Sequence, residues 1–144
     1  MTKNEWLQIH ELVGALMEVY NELGRGMAEP IYQEAFAKEL TYRSIPFERE
    51  KILRTYYKGE PLEKVYQADF YSDGVVIEMK SVEEITKEHR AQLFNYLRIT
   101  KQDRGILVNY GERKLHCERY LYNEETDRFV LISKDNYKEY IEDI

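Results

Sequence analysis

The sequence predicts an α/β protein of the α+β type, and three observations carry that reading. Residues 3–23 and 29–42 set apolar side chains at helical spacing; residues 46–80 change to short β-type runs broken by turn residues. After another helical stretch, 86–100, strand patterning returns between 105 and 132. With 144 residues, 43% hydrophobic and 33% charged, the chain can bury a core without staples and is read as a single domain, residues 1–144.

The first helix follows from Trp6, Ile9, Leu12, Val13, Leu16, Met17, Tyr20 and Leu23, which form one apolar stripe. Thr2 with Glu5 supplies a capping box, and Gly24 a stop. A short joint, Gly24-Arg25-Gly26, leads to a second helix from about Glu29 to Tyr42, with Pro30 tolerated in its first turn. Its apolar face is expected to include Ile31, Ala35, Phe36 and Leu40. Glu29, Tyr32 and Phe36 share one side at i, i+3 and i+7. Glu29 is open to two readings, as a helix-dipole carboxylate or as a functional one.

From Pro46 the pattern is β, with Lys58-Gly59-Glu60-Pro61 as a turn, giving a meander of antiparallel strands. The meander ends in Gln67 to Lys80, where Asp73-Gly74 is the pair that a two-residue type I′ hairpin favours. That turn sets the register: 72 faces 75, 70 faces 77, and Asp69 faces Glu78. Alternation then predicts Ala68, Phe70, Ile77 and Met79 on an apolar face, with Asp69, Glu78 and Lys80 on the other. Two carboxylates roughly 5 Å apart across a ladder repel each other. A hard divalent cation would remove the repulsion and Lys80 could help to activate a water; a solvated strand face with Lys80 as counter-charge is the alternative.

Thr86 caps a third helix running to about Thr100. His89, Gln92 and Tyr96 make a polar stripe on it, beside apolar Leu93, Phe94 and Leu97. Lys87, Arg90, Arg98, Lys101 and Arg104 against Glu88 and Asp103 predict a basic helix face of the kind a phosphodiester would need. Strands follow at 105–110, 114–121 and 129–132, then a short amphipathic helix through Tyr137, Tyr140 and Ile141.

A net charge of −6 excludes a protein that holds nucleic acid by a general positive field. The acidity lies at the ends, because residues 51–117 carry twelve Lys/Arg against ten Asp/Glu. One cysteine, Cys117, excludes an internal disulfide framework and reads as a packed thiol. No secretory h-region or long apolar run is present, so a cytoplasmic protein without membrane contact is expected.

Glu on a helix, a β-meander with Asp and then Glu-x-Lys, and a helix with Gln-x-x-x-Tyr resembles the PD-(D/E)XK nuclease superfamily. More narrowly, Gly26-x-x-Glu29-x-x-Tyr32 is similar to the motif naming the GxxExxY family. Ala91-Gln92-Leu93-x-Asn95-Tyr96-Leu97 and Gly105-Ile106-Leu107-Val108-Asn109-Tyr110-Gly111 add to that resemblance, which covers roughly residues 10 to 120. The superfamily's proline before the aspartate is Ala68 here. The resemblance implies a restriction-endonuclease-like core, a central mixed sheet with N-terminal helices and a crossover helix. It implies Mg²⁺- or Mn²⁺-dependent phosphodiester hydrolysis of nucleic acid, DNA foremost, by a monomer or homodimer. Carried over, Asp69, Glu78, the Met79 backbone carbonyl and Glu29 are metal ligands. Lys80, Glu29, Gln92 and Tyr96 are the catalytic set. The competing reading is a catalytically silent nuclease-fold module that binds nucleic acid or a protein partner.

Overall fold

The computed structural model describes residues 1–142. The N-terminal stripe forms helix α1, Lys3–Leu23, capped by the Thr2 hydroxyl accepting from the Glu5 N–H and stopped at Gly24. Met17 faces solvent, so the buried stripe is narrower than the sequence predicts. Helix α2 spans Glu29–Tyr42 with Pro30 in its first turn. Tyr32, Phe36 and Leu40 are buried on it, whereas Ile31 is exposed. Ile31 lies 100° round the helix from Tyr32, away from the sheet.

Strands β1, Glu48–Tyr57, β2, Glu60–Ser72, and β3, Val75–Lys80, make the expected meander. Helix α3, Lys87–Thr100, crosses over to β4, Arg104–Asn109, and β5, His116–Asn123, and β6, Arg128–Ile132, complete the sheet. The strands lie in sequence order, and all neighbours are antiparallel except β3 and β4, which are parallel and joined by α3. This is the mixed sheet with a crossover helix. The last expected helix is a single 3₁₀ turn, Tyr137–Tyr140. The turn expected over residues 58–61 needs only Lys58 and Gly59, both at positive φ, and Glu60 and Pro61 already belong to β2.

Helices cover both faces. On one, α1 and α2 bury Leu12, Leu16 and Phe36 against Phe70, Ile77, Met79 and Ile106. On the other, Leu93, Tyr96 and Leu97 of α3 pack on Ala68, Val76 and Leu107. Gly105 admits that helix, because a Cβ there would stand 3.0 Å from Leu97 and 3.1 Å from Leu93.

Ala68 and Phe70 therefore belong to opposite faces, contrary to simple alternation. The strand turns over at Asp69. Its neighbour on β1 explains this: Arg49 pairs with Phe70 and Lys51 with Ala68, but Glu50 between them takes φ 52° and drops out of the ladder.

Candidate active site

The Asp73-Gly74 turn adopts φ 40° and 89°, the type I′ geometry, and fixes 72 with 75, 71 with 76 and 70 with 77. There the β2–β3 ladder stops. Asp69 and Glu78 still face each other, but not as a backbone pair. The Asp69 N–H donates to Glu78 Oε1 at 2.9 Å, and the Met79 N–H donates to Asp69 Oδ2 at 2.8 Å. Each carboxylate has replaced a missing backbone acceptor on the opposite strand, and the strands splay around the pair.

Two consequences follow from strand geometry. One oxygen of each carboxylate remains without a hydrogen bond from protein among the described residues. The Met79 carbonyl, on the same side of the strand as its N–H, points into the same opening.

Charge is unfavourable there. Burial raises the Asp69 carboxyl above its ordinary range, against the lowering effects of the Met79 N–H and Lys80. Glu78, 2% exposed, is pushed further up by burial and then by the charge of Asp69. Both carboxyls are therefore harder to ionise together than apart.

Lys80 gives these carboxylates no hydrogen bond. Its Nζ donates to Gln92 Oε1 at 2.9 Å, and Gln92 Nε2 donates to the Tyr96 hydroxyl at 3.1 Å. The groups brought by α3 thus form a relay ending on Lys80. Tyr96 is buried and its phenol is raised by that burial and by Glu78, which keeps the proton on oxygen. His89 is not part of the relay: its Nδ1 accepts from the Thr86 N–H in the cap of α3.

Glu29 opens α2, with Gln33 donating to it at 3.3 Å. Burial is the main cause that raises its carboxyl, the charge of Asp69 adds to it, and Lys80 lowers it, so Glu29 feels the charges of both. Among the described residues, however, no three His, Cys, Asp or Glu side chains are gathered as a complete metal cage. The joint before Glu29 is fastened twice. The Tyr32 hydroxyl donates to Gly24 O at 2.7 Å and accepts from the Met27 N–H at 3.0 Å, and its ring stacks on Tyr110 at 4.2 Å. Gly26 donates to Tyr110 O, and the Ser81 hydroxyl to Met27 O.

The basic face expected on α3 is largely neutralised. Arg90 grips Glu118 with two bonds of 2.8 Å, Arg98 grips Asp127, and Arg104 is buried against Glu5, Gln8 and the Asp73 carbonyl. Glu118 also takes bonds from Tyr120 and His116. Burial opposes its ionisation, yet the bonds from Arg90, Tyr120 and His116 together win and hold its carboxyl at about 2. This cluster, which anchors α3 and hence Gln92, was foreshadowed only by a glutamate at the second of four alternating positions, His116, Glu118, Tyr120 and Tyr122. The Cys117 thiol is pushed up to about 12 by burial, which makes it inert at neutral pH.

A family model described as PD-(D/E)XK nuclease superfamily matches residues 7–120. A search of curated proteins finds no match. Among solved structures, the crystal structure of SSO0001 is similar, with TM-score 0.48 and 23% identity over 67% of this chain. That likeness spans 53% of the other chain, about half of its length.

Proposed function

The chain belongs to the PD-(D/E)XK nuclease superfamily, and from that premise we propose that it is a divalent-metal-dependent nuclease, a single domain hydrolysing phosphodiester bonds of nucleic acid, DNA foremost. The observation that carries the reading is the interrupted ladder. A half-buried and a buried carboxylate, both of raised pKa, face each other, each with one oxygen that takes no hydrogen bond among the described residues. Beside them is a backbone carbonyl on the same side of its strand as the N–H that bonds Asp69.

An all-oxygen donor set of two carboxylates and one carbonyl fits Mg²⁺ or Mn²⁺, which are commonly held by one or two carboxylates with the remaining sites left to water and phosphate. Asp69, Glu78 and the Met79 carbonyl would hold the ion, with Glu29 at the rim as a further carboxylate. When bound, the cation supplies Lewis-acid polarisation of a phosphate oxygen and acidifies a water. Lys80 offers an ammonium where charge develops at phosphorus. Gln92 and Tyr96 orient that ammonium and keep it off the carboxylates, so the ligands remain available. The Tyr32–Tyr110 stack holds the joint on which Glu29 rides, a structural role for the Gly-x-x-Glu-x-x-Tyr motif and a reason to place the chain in the GxxExxY family.

Cleavage of labelled single-strand, duplex, branched and RNA substrates with Mg²⁺ and Mn²⁺ tests the proposal. Metal-dependent cleavage that disappears in Asp69→Ala is expected, together with loss of the Mn²⁺ binding heat. Cleavage unchanged in Asp69→Ala would refute it. Heat without cleavage would leave the silent binding module as the reading.

A further inference from the structure

Strand β2 is thirteen residues long, yet only Phe70, Tyr71 and Ser72 pair with β3. The rest pairs with β1 alone, so the β1–β2 hairpin leaves the sheet as a two-stranded ribbon. Its base is anchored where Leu53, Tyr66 and Ala68 pack under α3. Its outer part is not covered: Tyr56 and Tyr57 are 65% and 63% exposed. Being consecutive on β1, the two rings face opposite sides of the ribbon, Tyr57 on the side of Leu53 and Tyr66, and Tyr56 on the other; neither is buried within the protein.

The charge there runs against the rest of the chain. Residues 51–67 hold four Lys/Arg against two Glu in a protein of net charge −6. Arg54 donates to the Leu62 carbonyl, Lys58 lies 5.5 Å from the Tyr57 ring centroid, and Lys64 lies 6.0 Å from that of Tyr66. None of these three cations has a carboxylate partner among the described residues. The line continues inward, since Tyr66 lies 6.0 Å from Tyr96, whose hydroxyl accepts from Gln92, which in turn accepts from Lys80. From Pro61, opposite Tyr56, to Asp69 the strand spans about 26 Å at roughly 3.3 Å per residue.

Exposed aromatic rings beside unpaired cations match a polyanion with free π-faces. Base stacking requires unstacked bases, which a duplex does not offer. Resting on the nuclease reading above, we propose that the β1–β2 ribbon is the docking arm for single-stranded nucleic acid. Bases stack on Tyr57, phosphates lie against Lys58 and Lys64, and the strand is led along the same face past Tyr66 to the carboxylate pair.

The test is fluorescence anisotropy with a labelled oligothymidylate and a blunt duplex of equal length, in EDTA so that nothing is cut. The single strand is expected to bind more tightly. Tyr57→Ala should weaken it about tenfold, while Tyr57→Phe retains it and Tyr56→Ala, on the far side of the ribbon, leaves it unchanged. Lys58→Ala with Lys64→Ala should flatten its salt dependence. Circular dichroism and melting of the alanine variants should be unchanged, because the rings touch solvent. Single-strand affinity unaffected by Tyr57→Ala, or equal affinity for duplex, overturns the proposal. So does a sedimentation result in which the alanine variants abolish self-association instead, which would give the ribbon to a second copy of the chain. Asp69→Ala separates this inference from the nuclease reading, because it should keep single-strand binding while losing cleavage.

Discussion

At Asp69 and Glu78 the protein carries a destabilising arrangement at the position where the proposed metal would bind. Both carboxyls are raised in the folded state. A carboxyl raised on folding supports the fold while protonated and opposes it once pH rises through its folded value. Without metal, stability should therefore fall as pH rises past the ordinary carboxylate range. Glu78→Gln removes one charge while retaining an oxygen that can accept the Asp69 N–H. In EDTA at neutral pH it should melt higher than the parent, by about 1–2 kcal/mol in stability. It should bind Mn²⁺ weakly and cut nothing. A lower melting point in calorimetry would show that the pair does not repel as described. The facing of these residues was legible, because Asp73-Gly74 sets the register. The replacement of backbone acceptors by carboxylates was not, because it depends on Glu50 at φ 52°, a conformation that no local signal marks for a glutamate.

Helix α3 is positioned by partners distant in the chain, and two changes test that. Glu118, held at about 2 against an ordinary 4.5, contributes stability above the ordinary value that is lost as pH falls toward 2. Glu118→Gln should destabilise by about 2 kcal/mol at neutral pH, allowing for solvent at the one-third exposed Arg90. Urea titrations should show the gap to the parent closing as pH falls from about 4.5 to about 2. Gly111 is the second case. Asn109 clamps both the N–H and the carbonyl of Val82, and a Cβ on Gly111 would stand 2.0 Å from that carbonyl. Gly111→Ala should destabilise by about 1–3 kcal/mol in thermal melts. It should also reduce cleavage, because Val82 lies two residues beyond Lys80. The elements themselves were legible: the bounds of α1 and α2, the Thr86 cap and the hairpin turn all follow from local pattern. What sequence could not supply was the fate of the cations, since Arg90, Arg98 and Arg104 find Glu118, Asp127 and Glu5 only through the tertiary fold.

For the whole molecule, a ligand that binds only the native state should raise its stability by mass action. At a hundredfold excess over its dissociation constant, Mn²⁺ should add about 2.7 kcal/mol to the parent and nothing to Asp69→Ala, read as a shift in melting temperature. The sheet also has one seam of a different kind. On either side of β3–β4 every neighbouring pair is antiparallel and joined directly, whereas that single parallel pair waits on the crossover helix. Hairpins close within microseconds, but contacts distant in sequence must first overcome the entropy of closing the intervening loop. Asp69 and Glu78, the proposed metal ligands, therefore meet early, in a local hairpin, while Lys80 acquires its Gln92 partner only when the slow seam shuts. On the proposed function, cleavage should recover later than secondary structure during refolding, and Mn²⁺ binding should recover before cleavage.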